Sequence, residues 1–289
     1  MAQRKKRKND KSPFSYFEKL KARLVTGSWF TVVIVILFFI ARFIIEKTSA
    51  NDDYKTADYS MLEQISLPAN VENTICLYKG FTVYFNPQYH IPNCVIYELT
   101  NDEACGNLPR ARNFLADENV KGCANPWDYQ YSGYDRGHMA PAGDMKWDAQ
   151  AMHESFLMTN ICPQVKALNT GAWNNLESRV REWAKRDSAL IVATGPILSK
   201  SMPTIGGKAN VAVPQRFFKV ILAHRSHPMR AIAFIYDNAR NNGSISQHAV
   251  SVDDVEKATG IDFFSALPDD IENVIESQCD IKQWDARFK

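Results

Sequence analysis

The sequence predicts a globular domain of the mixed α+β class. Several short runs rich in β-branched and aromatic residues, each bounded by turn residues, predict strands. Apolar residues at three- and four-residue spacing between Ala172 and Lys185 predict an amphipathic helix. The chain shows no internal repeat, and its composition, 45% hydrophobic and 23% charged, excludes a disordered or fibrous protein.

The first 45 residues differ from the rest of the chain. Residues 1–23 form a basic leader, and residues 24–45 are almost entirely apolar. About 20 apolar residues are needed to cross a bilayer as a helix, so we predict a transmembrane signal anchor over 24–45. A cleaved signal peptide with its apolar core at 28–41 is the alternative. The cationic leader predicts a cytoplasmic N-terminus and a body outside the cytoplasm, in the periplasm if the source is bacterial.

The folded part is predicted to follow a linker. Residues 46–69 have few apolar positions, which predicts a tether, whereas residues 70–289 have the composition of a domain. Gly195-Pro196 is expected to halt the strand that precedes it. The expected strands are 82–85, 95–99, 189–194, 216–222 and 231–236, and shorter helices are expected at 252–258 and 269–276.

Charge and cysteine content limit the possible partners. The net charge of +2 combines +8 over residues 1–47 with −6 over the remainder. An acidic body binds a polyanion only through a local cluster of cations. The six cysteines show no CxxC pair and no Cys/His spacing of a zinc site, and they fit either disulfides or buried thiols.

Two polar stretches, Tyr134–Pro141 and Asn169–Glu177, contain the residues with chemical potential. The first is rich in Gly and Pro, which favours a loop that presents His138, a base that is neutral at pH 7 when its pKa is unperturbed. Asn169 precedes a helix and offers either an N-cap or an oxygen ligand for Mg²⁺, an ion that tolerates few protein ligands. Glu177 and Arg181 are four residues apart, so they share one helix face, either at the same cleft or as a surface ion pair.

These stretches resemble the DNA/RNA non-specific endonuclease family with a ββα-metal site, which includes mitochondrial endonuclease G. The resemblance rests on Asp135-Arg136-Gly137-His138, on Asn160-Ile161-Cys162-Pro163-Gln164 and on the Asn169–Glu177 stretch, and it extends from about residue 71 to residue 264. It implies a central, mostly antiparallel sheet flanked by helices. Together with the N-terminal span, this gives a nuclease domain preceded by one transmembrane helix.

The resemblance also implies the role of each site residue. His138 is the expected general base, and Asn169 is the expected sole direct ligand of Mg²⁺, for which Mn²⁺ can substitute. Glu177 is expected to orient metal-bound water, and Arg181 to contact phosphate.

Two further arginines are implied as phosphate contacts. Arg112 matches an arginine in a loosely similar Arg-Asn-aromatic stretch, and Arg136 belongs to the motif itself. An arginine guanidinium suits phosphate because it donates two parallel hydrogen bonds.

The expected function is metal-dependent hydrolysis of phosphodiester bonds in DNA and RNA without preference for sugar or sequence. The expected partners are therefore DNA and RNA. The N-terminal helix is expected to anchor the protein in the membrane. Two alternatives stay open: a catalytically silent nucleic-acid-binding or envelope module on the same scaffold, and a phosphodiesterase for another substrate.

Overall fold

The computed structural model describes residues 59–240 and 243–285. The predicted leader at 1–23, the predicted span at 24–45 and the first part of the predicted linker lie outside these residues. No helix within the described ranges is both long and apolar enough to cross a membrane.

The folded unit begins before the expected start at residue 70. Residues Tyr59–Glu63 form a 3₁₀-helix, although they belong to the stretch predicted as a linker. Leu62 and Ile65 are buried in the core, and Ser66 pairs with Asp262. The few apolar residues of this stretch are thus used for packing, and the compact unit starts at Tyr59.

A seven-stranded antiparallel sheet forms the centre of the fold, in the order β1-β2-β3-β6-β9-β10-β11. Two further pairs, β4 with β5 and β7 with β8, lie outside it. The strands are β1 (Thr74–Leu77), β2 (Thr82–Asn86), β3 (Ile91–Thr100), β4 (Asp135–His138), β5 (Ile161–Gln164), β6 (Ala189–Ile197), β7 (Thr204–Ile205), β8 (Val211–Ala212), β9 (Arg216–Ala223), β10 (Arg230–Asp237) and β11 (Ala249–Val250).

Helices cover both faces of the sheet. On one face, Trp173 and the α3 residues Leu176, Val180 and Trp183 pack into the larger core, as their spacing predicts. On the other face, α4 and α5 pack against a second core. The helices are α1 (Asn101–Ala104), α2 (Ala149–Ser155), α3 (Asn174–Asp187), α4 (Val252–Thr259), α5 (Asp269–Glu276) and α6 (Ile281–Trp284). The predicted α+β class with a central antiparallel sheet flanked by helices is confirmed.

The expectation that Gly195-Pro196 halts a strand is wrong. Strand β6 continues through both residues to Ile197. Its pairing with β3 ends at Thr194, so beyond that point β6 pairs only with β9 and the missing N–H of Pro196 is tolerated. A side chain at Gly195 would clash, because a Cβ there would lie 2.4 Å from the Asn93 carbonyl oxygen.

The stretch predicted as a histidine-bearing loop is also partly a strand. Asp135–His138 form β4, which pairs antiparallel with β5. Gly137 permits this pairing, since a Cβ at that position would lie 2.1 Å from the side-chain oxygen of Gln164. The buried Gln164 side chain therefore lies directly over the glycine of the motif.

Candidate active site

A polar cleft of about 300 Å³ lies beside β4, β5 and the start of α3. Three residues predicted from the sequence line it together: His138 at the end of β4, Asn169 in the turn before α3, and Glu177 in the first turn of α3. The end of β4 and the start of α3 bring them into one space. The remaining lining residues are Arg110, Pro141, Ala142, Thr170 and Asn174.

The chain that directly follows His138 is held by hydrogen bonds to Asn160. Met139 N donates to the Asn160 carbonyl oxygen at 3.0 Å, directly after the histidine. The fully buried Asn160 side chain accepts from Ala140 N at 2.8 Å and donates to the Ala140 carbonyl oxygen at 2.9 Å. Asn160 therefore fixes the backbone from which the histidine side chain projects.

His138 is buried between aromatic rings. Its ring lies 4.8 Å from that of Phe156, nearly perpendicular to it, and 5.3 Å from that of Phe114. Burial, with a contribution from the nearby positive charge of Arg110, lowers the pKa of His138 to about 3. Its Nε2 atom is buried and has no hydrogen-bond partner among the described residues. A neutral imidazole that carries its proton on Nε2 leaves Nδ1 able to accept a proton.

Asn169 lies within a π-helical turn, Leu168–Trp173, that precedes α3. Its side-chain amide nitrogen donates to Asp135 Oδ2 at 3.1 Å, and this hydrogen bond fixes the orientation of the side chain. The bond does not involve the side-chain oxygen of Asn169. The alternative that Asn169 caps the helix is wrong, since Trp173 occupies the N-cap position of α3. Asp135 of the motif thus orients Asn169, and π-helical turns are common at functional sites.

Glu177 and Arg181 do not form the simple surface pair weighed from the sequence. Arg181 Nη1 donates to Asp144 Oδ1 at 2.7 Å, and Arg181 Nη2 donates to Ser178 Oγ at 3.0 Å. Asp144 is buried and also accepts a hydrogen bond of 2.7 Å from the Tyr97 hydroxyl. Arg181 is therefore held in an ion pair with Asp144, and it is not among the residues that line the cleft.

A buried lysine lies on strand β9 of the central sheet, close enough to the cleft to interact with Glu177. Lys219 is 1% exposed, and its ammonium donates to Thr194 Oγ1 at 2.7 Å and lies 5.0 Å from the Trp173 ring centroid. Burial raises the pKa of Glu177, and the positive charge of Lys219 opposes that rise. Burial lowers the pKa of Lys219, and the negative charge of Glu177 opposes that change in turn. The two groups thus stabilise each other's charged forms.

Three further arginines, Arg110, Arg112 and Arg136, lie in different environments around the site. Arg110 lines the cleft, with its guanidinium 5.2 Å from the Phe156 ring centroid. Arg112 is exposed and does not line the cleft. Arg136 donates from Nε to the Pro126 carbonyl oxygen at 3.1 Å and lies over the rings of Phe114 and Tyr129, so it braces the motif.

The residues of the cleft fit a hard divalent cation held mainly through water. Asn169 offers a neutral oxygen and Glu177 a carboxylate, which are oxygen donors of the kind that Mg²⁺ and Mn²⁺ prefer. Within residues 59–240 and 243–285, no group of three or more His, Cys, Asp or Glu side chains converges at this cleft. An ion here would retain several of its waters, as Mg²⁺ usually does.

Residues 58–270 match the model of the DNA/RNA non-specific endonuclease family. The chain belongs to this family. It is 32% identical over 245 residues to the mitochondrial nuclease EXOG of Mus musculus, covering 78% of this chain and 66% of that protein. It is 31% identical over 223 residues to a nuclease of Nostoc sp., covering 72% of this chain and 80% of the relative.

Structural similarity agrees with the sequence match. The fold resembles a crystal structure of an EndoG/EndoGI complex with a TM-score of 0.63 and 29% identity, covering 68% of this chain and 88% of the other. The match with mitochondrial EXOG proteins spans about two thirds of their length or less, 66% in mouse and 60% in Danio rerio. These relatives are nucleases by name, and the match over residues 58–270 confirms the predicted family.

The predicted localisation is wrong. The sequence led us to expect a single-pass membrane anchor with the domain outside the cytoplasm, in the periplasm of a bacterium. The EXOG proteins and the Saccharomyces cerevisiae relative, 32% identical over 214 residues, are instead named as mitochondrial nucleases. A basic leader and an apolar stretch were the only basis of the expectation, and both lie outside the described residues.

Sequence reasoning missed three residues that shape the cleft. Arg110 is two positions from the arginine that was chosen, in a stretch without regular structure. Asn160 was recognised as part of a motif, but its two side-chain hydrogen bonds to the Ala140 backbone were not predicted. Lys219 carried a readable signal, because a lysine within the otherwise apolar strand 217–222 must be buried with a partner.

Proposed function

We propose that this chain is a metal-dependent endonuclease with a ββα-metal site, formed by β4, β5 and α3, that hydrolyses phosphodiester bonds in DNA and RNA. The convergence of His138, Asn169 and Glu177 in one cleft is the observation that supports it. The intact set disfavours a catalytically silent module, because loss of one of these residues would suffice to abolish activity.

His138 acts as the general base in this proposal. It is neutral and buried against Phe114 and Phe156, and its Nδ1 atom takes the proton of a water molecule that attacks phosphorus, while Nε2 carries the ring proton. Glu177 accepts a hydrogen bond from water in the cleft and orients it. The attacking oxygen bonds to phosphorus as the bond from phosphorus to the leaving 3′-oxygen breaks, and solvent water supplies the proton that the leaving oxygen takes up.

Asn169 would hold the metal ion through its side-chain oxygen, since Asp135 occupies its amide nitrogen. Lewis-acid stabilisation of the charge that develops on the phosphate is the chemistry expected from Mg²⁺ or Mn²⁺ there. Arg110 and Arg181 provide guanidinium donors for phosphate oxygens, and Arg181 has donors beyond those bonded to Asp144 and Ser178. Arg112 and Arg136 are proposed only as outer contacts with the nucleic-acid backbone.

Contacts with phosphates carry no sequence information, so the proposed enzyme tolerates many sequences. The test is incubation of the full chain with supercoiled plasmid and with single-stranded RNA, in Mg²⁺, in Mn²⁺ or in EDTA. His138→Ala is expected to lower the cleavage rate by roughly 10²–10⁴, the usual contribution of a general base. The matched control is His153→Ala, which removes an exposed histidine from α2.

Cleavage in either metal, lost in EDTA and in His138→Ala but kept in His153→Ala, supports the proposal. Near-normal cleavage by His138→Ala would remove the proposed base. No cleavage of either nucleic acid by the unaltered chain in Mg²⁺ or Mn²⁺ would favour the silent module.

A further inference from the structure

Three carboxylates from two helices meet on the face of the sheet opposite the cleft. Asp253 and Glu256 share one side of α4, because they are three residues apart, and Glu276 is the last residue of α5. One oxygen of each lies within 4.8 Å of the others. The family match ends at residue 270, so Glu276 lies beyond it.

Glu276 is the unusual member of this group. It is 5% exposed, and its Oε1 atom is buried without a hydrogen-bond partner within the described residues. It also lies at the C-terminal end of a helix, where the helix dipole disfavours negative charge. Burial and the neighbouring carboxylates, Glu256 first, raise the pKa of Glu276 to about 9. A buried carboxylate in such surroundings needs either a proton or a cation.

The other two carboxylates suit a cation. Glu256 is held in place because its Oε1 accepts a hydrogen bond of 2.8 Å from Phe263 N, which leaves its second oxygen for a ligand role. Asp253 is exposed at the first turn of α4 and can adjust its position. One fixed carboxylate, Glu256, one buried carboxylate, Glu276, and one adjustable carboxylate, Asp253, thus form a site that is open to solvent water on one side.

We propose that Asp253, Glu256 and Glu276 bind one Ca²⁺ ion that joins α4 to α5. Ca²⁺ suits these three carboxylates better than Mg²⁺, because it accepts six to eight oxygen ligands in flexible geometry whereas Mg²⁺ demands a near-ideal octahedron. Water completes the coordination, and the role is to stabilise the C-terminal helices rather than to take part in cleavage. The inference is independent of the proposed nuclease mechanism.

The test is thermal unfolding of the full chain in EDTA, in CaCl₂ and in MgCl₂. At a Ca²⁺ concentration ten times the dissociation constant, binding to the folded state alone should raise the midpoint by about 3–5 °C. The shift is expected to persist in Asn169→Ala, which alters only the proposed catalytic site, and to exceed the shift that MgCl₂ gives in that variant. Glu276→Gln and Asp253→Asn are expected to lose it.

The matched control is Asp270→Asn, which removes an exposed carboxylate from α5 outside the cluster and is expected to keep the shift. Asp253→Asn alters an exposed residue and is expected to fold. It therefore tests the calcium site even if Glu276→Gln does not fold. No Ca²⁺-dependent shift in the unaltered chain, or an undiminished shift in Asp253→Asn, would overturn the site. Loss of the shift in Asn169→Ala would assign the calcium to the catalytic cleft instead.

Discussion

The burial of His138 should make the protein sensitive to acid in a way that one substitution can isolate. The pKa of the folded-state imidazole is about 3, whereas an unfolded histidine has a pKa of about 6.5. Because the folded-state pKa is depressed, protons bind the unfolded chain preferentially below pH 6.5. The contribution of neutral His138 to stability is therefore present above that pH and declines progressively as the pH falls from 6.5 towards 3.

The size of this effect follows from the two pKa values. Between pH 7 and pH 4 the histidine of the unfolded chain becomes protonated, while the histidine of the folded chain stays neutral. The unfolding free energy therefore falls by about 1.4 kcal/mol for each pH unit below 6.5, or about 3 kcal/mol in total. In His138→Gln no such proton is bound. We therefore compare the unfolding free energies of the variant and the unaltered chain. The difference between them should change by about 3 kcal/mol from pH 7 to pH 4.

Urea unfolding followed by tryptophan fluorescence at pH 7 and pH 4 measures this change. The comparison uses differences between chains, so acid effects on other groups cancel. His153→Gln, on the exposed side of α2, should follow the unaltered chain at both pH values. If the difference between His138→Gln and the unaltered chain changed by less than 1 kcal/mol, the histidine would not be held neutral by burial, and the proposed base would lose its physical support.

Three further predictions concern activity. Asn169→Ala should raise the Mg²⁺ concentration needed for half-maximal cleavage and lower the maximal rate, and an unchanged Mg²⁺ titration would place the ion elsewhere. Arg110→Ala should weaken cleavage more than Arg112→Ala in steady-state kinetics, because only Arg110 lines the cleft; equal effects would contradict this. Lys219→Met should lower the rate by about 10-fold or more and shift the acid limb of the pH–rate profile to higher pH, since Lys219 lowers the pKa of Glu177; an unmoved limb would argue against that coupling.

The elements that sequence predicted well are those whose pattern depends on burial against the sheet. The expected helix at 269–276 coincides with α5, and Trp173, Leu176, Val180 and Trp183 all enter the core. Strand β4 was missed because its stability comes from a distant partner. Gly137 has low β propensity, and it belongs to a strand because it pairs with Cys162 of β5, while Gln164 of the same strand leaves no room for a side chain at this position.

The site was predictable to the extent that its members are placed by local spacing. His138, Asn169 and Glu177 meet because one ends a strand and the others flank the start of α3. Arg112 was implied by its place in a loosely similar Arg-Asn-aromatic stretch, and no periodicity in that irregular stretch indicates that Arg110 is the arginine that lines the cleft. The link between Asp135 and Asn169, 34 positions apart, depends on how two segments pack, and spacing along the chain carries no information about it.

The charges around the cleft explain how an acidic domain can bind a polyanion. Residues 48–289 carry a net charge of −6, which alone would repel nucleic acid at long range. Within the site, Asp144 is neutralised by Arg181, and the charge of Glu177 is opposed by Lys219. Asp135, which orients Asn169, adds a further negative charge, and Arg110 adds a positive charge at the cleft itself. Because screening limits the field of the distant carboxylates to about 10 Å at 0.1 M salt, a phosphate that enters responds mainly to this local cation and to any bound metal ion. Binding should accordingly depend on Arg110 more strongly than on the net charge of the domain.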